Sequence, residues 1–256
     1  MVNLNNPDAL TVSDESQSPP RFHHLAAWRH ARDGAHSPLW EAALAARGAL
    51  SDFFTRRKDI LADERRSDRA KQDDTRAAAL EALRELGDAQ RRLNTSAEET
   101  RADRLKLAGV APASPADAIA DLDIARHFRS LGERDRQVFL QALVSGQEPR
   151  AVDAVLRLPG FLFGLTPEMV AIIRVAAVER EHPKEVGRLR SLDEAAQTAQ
   201  HVLKRCAAIL EESTALSLED LMRGYGDGAW QHFVQGPRAP LEALARLKYG
   251  VGTAAE

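Results

Sequence analysis

Residues 38–112 decide the fold, and their sequence is PLWEAALAARGALSDFFTRRKDILADERRSDRAKQDDTRAAALEALRELGDAQRRLNTSAEETRADRLKLAGVAP. No proline interrupts the run between Pro38 and Pro112, and nearly every residue in it favours a helix. At a rise of about 1.5 Å per residue, one unbroken helix over this run would extend roughly 100 Å. We therefore predict an elongated helical stalk, or a helical hairpin if the chain folds back at Gly48 or Gly87.

Leucines recur at seven-residue spacing in the second half of this run. Leu86, Leu93 and Leu107 share one heptad position, and Leu83 stands at the companion position. A two-stranded coiled coil needs apolar residues at both core positions of the heptad, and the companion position is mostly polar here. Both an oligomeric coiled coil and an intrachain hairpin therefore stay open. In the coiled coil, these four leucines would contact a neighbouring copy.

The middle of the run is strongly charged, because 14 of the 21 residues at positions 56–76 are acidic or basic. A helix that is polar on all sides is either a solvated strut or no stable helix. The arginines here and just beyond would be the contacts if the chain bound nucleic acid; they are Arg56, Arg57, Arg65, Arg66, Arg69, Arg91 and Arg92. Interleaved acids and a net charge of −3 argue against nucleic acid as a primary partner.

Residues 1–20 are predicted to form an extended or disordered arm, because they are polar and end at two consecutive prolines. The even spacing of Leu4, Leu10 and Val12 would place them on one side of an extended arm. We expect these three side chains to anchor the arm on a neighbouring copy or another protein. A short helix is predicted over Arg21–Asp33, and no strand pattern is recognised.

The prolines at 112 and 115 mark a hinge between the stalk or hairpin at 21–111 and a compact helical domain at 112–256. The arm at 1–20 precedes the stalk. Caps at Ser114, Thr166 and Ser191 are predicted to begin helices. The predicted helices are Pro115–Leu131, Glu133–Ser145, Pro149–Leu158, Pro167–Glu181, Leu192–Glu212, Leu218–Arg223 and Pro240–Tyr249. The predicted core residues are Ile119, Leu122, Phe128, Phe139, Leu143, Val155, Leu158, Phe161, Leu165, Ile172, Val175, Val202, Leu203, Cys206, Ile209 and Leu210. The fold class is thus all-α.

No pattern of catalytic, cofactor-binding or metal-binding residues is complete. Four histidines at 23, 24, 30 and 36 include no pair at four-residue spacing, and we expect them to pack at a surface or interface. The glycines at 224, 226 and 228 lack a preceding strand, so they predict a loop that places Trp230 and no phosphate site. Asp117, Asp121 and Asp123 cluster near the start of a predicted helix. The helix dipole favours a carboxylate at Asp117, so this residue needs no chemical role. Cys206 is the only cysteine and is predicted to be buried and inert.

The run at 152–168, VDAVLRLPGFLFGLTPE, resembles a segment of uncharacterised proteins from tailed bacteriophages and prophages of Gram-negative hosts. The resemblance covers residues 137–180. It implies a virion or morphogenesis setting and brings no catalytic residue with it. From the residues themselves, Pro159 and Gly160 end one helix, 161–165 plug a core, and Thr166 opens the next helix.

These observations predict a non-enzymatic structural component of a tailed phage virion that oligomerises or bridges through long helices. Its partners would be further copies and other virion proteins, with no cofactor and no membrane span, since the most apolar run, Met169–Val178, is short and contains Arg174. The protein would be made in the host cytoplasm and located in the virion. The alternative is a cytoplasmic helical adaptor or regulator that binds a host protein or nucleic acid.

Overall fold

The computed structural model describes residues 8–109 and 114–217, and the great majority of them are α-helical, as predicted. The described residues divide into two compact units. The first unit comprises residues 8–99 and 191–217, and the second comprises 100–109 and 114–190.

The first unit begins with a β-hairpin that the sequence did not predict. Strand β1 (Ala9–Asp14) pairs antiparallel with β2 (Arg21–Ala27), with an irregularity between Leu10 and Thr11. The helix predicted over Arg21–Asp33 is therefore wrong. Every second residue of β1 is buried, which is the period of a half-buried strand. The pairing of β1 with β2 overrides the helical preference of the alanines and leucine in β2.

The predicted arm anchors lie inside this hairpin. Leu10 and Val12 are buried at 4% and 3% exposure within a single chain, and β1 packs against the first long helix. They are thus enclosed by their own unit, which corrects the prediction that they reach outwards. Leu4 lies outside the described residues.

Asp14 closes the hairpin because its buried carboxylate organises the turn that follows. Its Oδ1 accepts hydrogen bonds from the backbone N–H and the hydroxyl of Ser16, and its Oδ2 accepts one from the Gln17 amide at 2.9 Å. The Arg57 guanidinium lies 3.4 Å from Oδ2. These four donors compensate the desolvation of a fully buried carboxylate.

Within the described residues 38–109, the long helical run is broken once, so it is a hairpin and not one straight stalk. Helix α1 (Ser37–Ala62) and α2 (Asp68–Leu107) are separated by residues 63–67. Near the break, the Lys71 ammonium donates to the carbonyl of Leu61 at 2.9 Å, and further away Arg56 pairs with Glu81. The chain therefore folds back at 63–67, whereas the predicted turning points at positions 48 and 87 lie inside the helices.

The break is explained by side chains that bond the backbone and so compete with the helix. The Asp63 carboxylate accepts a hydrogen bond from the backbone N–H of Arg65 at 3.0 Å. Ser67 then accepts one from the backbone N–H of Ala70 at 3.3 Å, at the start of α2. Aspartate and serine are the residues that most readily offer the backbone such an alternative.

Helix α7 (Pro183–Thr214) contributes the other long element of the first unit. Within its 192–210 stretch the buried residues recur at helical spacing and include Val202, Cys206 and Leu210. It begins at Pro183, well before the predicted start at Leu192. The capping box predicted at Ser191 is therefore wrong, because Ser191 lies within the helix. Helix α7 meets α2 at a polar point, where the side-chain amides of Gln90 and Gln200 exchange two hydrogen bonds of 3.0 Å.

The second unit contains four shorter helices that match the prediction closely. They are α3 (Pro115–Ser130), α4 (Glu133–Ser145), α5 (Pro149–Arg157) and α6 (Pro167–Glu181). Ser114 forms a full capping box with Asp117, and the Thr166 hydroxyl accepts from the backbone N–H of Met169, as their types predict. Phe128, Leu143 and Phe163 are fully enclosed in the core, with the rings of Phe128 and Phe163 6.1 Å apart.

Candidate functional site

Large exposed apolar side chains concentrate in the second unit. Of the eleven found among the described residues, only Phe22, Leu44 and Leu61 belong to the first unit. The other eight are Leu105, Ile119, Leu122, Val138, Val144, Phe161, Met169 and Ile172. The second unit has fewer described residues than the first, so large exposed apolar side chains are distinctly more frequent on it. Exposed apolar side chains can form a contact site for other molecules where they lie close together.

Helix α3 exposes Ile119 and Leu122 because the side chain that faces the core in this turn is the carboxylate of Asp121. Asp121 is fully buried, and Arg157 on α5 donates two hydrogen bonds to it, at 2.9 and 3.2 Å. This bond raises the pKa of the Arg157 guanidinium. Burial of Asp121 turns Ile119 and Leu122 to solvent, at 66% and 40% exposure, so their prediction as core residues was wrong.

The turn between α5 and α6 exposes Phe161 and buries Phe163. Phe161 is 72% exposed, whereas Phe163 is 1% exposed and packs in the core. The turn is tight at Gly160, where a Cβ would lie 2.8 Å from Val170 and 3.3 Å from the Leu165 carbonyl oxygen. Gly164 has a φ of +71°, which favours glycine. The prediction that residues 161–165 plug the core is right for Phe163 and Leu165 and wrong for Phe161.

Helices α4 and α6 carry four more of the exposed apolar residues. Met169 and Ile172 lie about one turn apart on α6, and both are about two-fifths exposed. Buried Ile173 and Ala177 define the inward face of this helix, so Ile172 was wrongly predicted as core. On α4, Val138 is 60% exposed. Periodicity could not identify the exposed face of α6, because its residues are apolar on nearly all sides.

The leucines predicted as an intermolecular seam lie largely within the first unit. Leu86 and Leu93 have no exposed surface in a single chain, and Leu83 is only 7% exposed. In this conformation a second copy has no access to them, so the structure corresponds to the intrachain hairpin alternative. Leu107, which ends α2 and is half-buried, belongs to the second unit.

Two histidines of the first unit bond hydroxyl groups of α7. His30 Nε2 lies 3.0 Å from the Thr198 hydroxyl, and His36 Nε2 lies 3.0 Å from the Ser191 hydroxyl. Burial lowers the pKa of His30. An open cleft of about 500 Å³ lies beside His30 and is lined also by Glu194, His201, Thr198, Gln197, Ala26 and Ala27. Among the described residues no three histidine, cysteine or acidic side chains are placed to hold a metal ion.

Four of the seven arginines considered as nucleic-acid contacts pair with acids. Arg57 pairs with Asp14, and Arg56 with Glu81. Arg66 pairs with both Asp63 and Asp74, and Arg91 with Asp88. The neighbouring carboxylates offset the positive charge of these guanidinium groups and would repel a phosphate, so they weaken the hypothesis of a basic binding face.

The remaining predicted chemical groups have structural roles or lie outside the described residues. Cys206 is fully buried, as predicted, and burial raises the pKa of its thiol to about 12. Bonds from Ser114 lower the pKa of Asp117, and Asp123 pairs with Arg126. The glycines at 224–228, Trp230, and the helices predicted over 218–223 and 240–249 fall outside the described part. No described helix combines the length and apolar character needed to cross a bilayer.

Comparisons of this chain with models of protein families, with curated proteins and with solved structures found no match.

Proposed function

We propose that this chain is a non-enzymatic assembly protein that contacts other proteins through the apolar surface of its second unit. The observation that carries the proposal is the placement of eight of the eleven large exposed apolar side chains in this unit. Phe161 is the most exposed of them, and it stands on a turn whose neighbour Phe163 is locked in the core. Aromatic residues held rigidly at a surface are frequent anchors of protein interfaces.

The setting that we propose is the particle of a tailed bacteriophage, where the protein would be present in several copies. The support is the resemblance of residues 137–180 to phage and prophage proteins, and five of the eight exposed apolar residues fall within this segment. They are Val138, Val144, Phe161, Met169 and Ile172. The segment that resembles phage proteins is thus also the segment richest in candidate contacts.

The alternative is a cytoplasmic adaptor, and the same apolar surface favours a protein partner for it over nucleic acid. The acids paired with Arg56, Arg57, Arg66 and Arg91 explain this preference. The two proposals differ in where the protein is located, and particle composition separates them.

The proposal is tested by mass spectrometry of purified phage particles, together with light scattering of the isolated protein. We expect the chain in the particle, and a mass above that of one chain. Phe161→Ser should reduce incorporation into particles at least tenfold while leaving the melting temperature unchanged. Phe22→Ser is the matched control, because Phe22 is 52% exposed but lies on the first unit.

A monomeric chain that is absent from particles contradicts the phage proposal. Equal loss of assembly in the Phe161 and Phe22 variants contradicts the assignment of the contact surface to the second unit. Binding to a cytoplasmic protein, lost in Phe161→Ser and kept in Phe22→Ser, establishes the adaptor instead.

A further inference from the structure

His23 is a buried side chain whose environment is poorly suited to a charge. It lies on β2, is 5% exposed, and stacks on the ring of Phe54 with centroids 5.4 Å apart and planes inclined by 12°. Its Nε2 atom is buried and has no hydrogen-bond partner. The neutral form of the His23 ring is therefore the one suited to this position, where it packs between the hairpin and α1.

The charged groups around His23 already have other partners. They are Asp14 on β1, Arg21 on β2, and Arg205 and Glu212 on α7, and Phe54 is the contact from α1. The Asp14 carboxylate accepts from Ser16, Gln17 and Arg57. Glu212 lies 3.7 Å from Arg21 and 3.8 Å from Arg205. Neither carboxylate accepts a hydrogen bond from Nε2, so a proton on this atom would be buried without an acceptor.

We propose that the β1–β2 hairpin is an acid-sensitive element whose release from α1 is favoured when His23 takes up a proton. Release would expose Leu10 and Val12 of the hairpin, together with the Phe54 ring of α1 on which His23 stacks, all now buried. Acidification would thereby open a second apolar contact surface, on the first unit. The release follows from the packing of His23 alone and holds whether or not the proposed assembly function is correct.

The direction of the pH dependence follows from the two states of His23. Burial, followed by the charge of Arg21, lowers the pKa of the docked ring below its ordinary value of 6.5. The released ring is expected to titrate near that ordinary value, so between the two pKa values the released state binds more protons. Docking is fully favoured above pH 6.5 and weakens as the pH falls towards the lower pKa, by up to about tenfold per pH unit.

Hydrogen exchange of the full chain between pH 7.5 and pH 5, corrected for the intrinsic rate at each pH, tests the proposal. We expect the amides of 9–14 and 21–27 to lose protection on acidification, while those of the second unit keep theirs. His23→Phe keeps the stacked ring and removes the titration, so its hairpin should stay protected. His24→Phe is the matched control, because His24 is the exposed neighbour on the same strand, and it should behave as the wild type.

Two results overturn the proposal. One is a wild-type hairpin that stays protected at pH 5, and the other is a His23→Phe hairpin that loses protection as the wild type does. If His23→Phe does not fold, NMR titration of the wild-type ring decides the question. A pKa below 6.5 for His23, with loss of hairpin protection in the same pH range, supports release, and a pKa at or above 6.5 refutes it.

Discussion

Asp121 on α3 and Arg157 on α5 form a bidentate pair in which the carboxylate is fully buried and the guanidinium side chain is only 13% exposed. Arg150 adds a third group at 3.2 Å from the carboxylate. Because the pair ties α3 to α5, it fixes the rotation of α3 about its own axis. The exposure of Ile119 and Leu122 is a consequence of that rotation.

Removing one partner of this pair should destabilise the second unit strongly. We expect Asp121→Ala to lower the free energy of unfolding by about 3–5 kcal/mol, because it leaves the Arg157 charge without its partner. Urea unfolding measures the loss. Asp123→Ala is the control: Asp123 is exposed and pairs only with exposed Arg126, so its loss should stay within about 0.5 kcal/mol.

The double variant Asp121→Leu/Arg157→Met separates a need for the charges from a need for the packing. An apolar pair of similar volume should recover most of the stability lost in Asp121→Ala. Equal losses in the Asp121 and Asp123 single variants would show that the buried pair does not stabilise α3 against α5.

Helix α4 is capped by Gly146, whose backbone is in the left-handed region. Replacing this glycine should change the stability in the opposite direction from replacing Gly187, which serves as the control. Gly146 has a φ of +74°, and a Cβ there would overlap the Arg180 guanidinium. Gly146→Ala should therefore cost about 1–2 kcal/mol for the backbone alone. Gly187 is exposed inside α7 with open space around it, so Gly187→Ala should stabilise by about 0.5–1 kcal/mol. Thermal unfolding of both variants checks the signs, and stabilisation by Gly146→Ala would refute the assigned backbone conformation.

The helices of the second unit could be read from the sequence because their signals are local. Serine, threonine, proline and glycine mark their ends, and the predicted bounds Glu133–Ser145 and Pro167–Glu181 are those of the structure. The exposed surface could not be read in the same way. Which face of α3 points inwards depends on Arg157, which lies 36 residues from Asp121 along the chain. Periodicity alone cannot foresee a long-range pair that buries a charge.

The hairpin was missed for a related reason. The alternation in β1 covers only six residues, and its polar inward position is Asp14, which resembles a surface residue in the sequence. Its burial depends on Arg57, 43 residues away, and on the turn at Ser16 and Gln17. The break at 63–67 was predictable in principle, since Asp63 and Ser67 are typical residues for ending and restarting a helix.

Cys206 should be inert in the folded protein. With a pKa raised from 9.0 to about 12, about a thousandfold less of the thiol is ionised at pH 8 than in the unfolded chain, and burial also blocks approach of a reagent. We expect labelling by a thiol reagent to be at least about a thousandfold slower than in urea. Native labelling within tenfold of the unfolded rate would contradict the burial. Cys206→Arg should cost several kcal/mol, as an uncompensated buried charge does.

The hairpin should contribute to the stability of the isolated chain. Leu10 is 4% exposed on β1, and Leu10→Ala removes buried apolar contacts, which we expect to cost about 2–5 kcal/mol of unfolding free energy. Thr11→Ala is the matched control on the same strand. The contact that Thr11 makes with Arg47 uses its backbone carbonyl, which the substitution keeps, so its cost should stay below about 1 kcal/mol. Thermal unfolding of the isolated chain measures both. An arm that served only to grip neighbouring copies would leave the Leu10→Ala chain as stable as the wild type, and that result would place β1 outside the fold of its own unit.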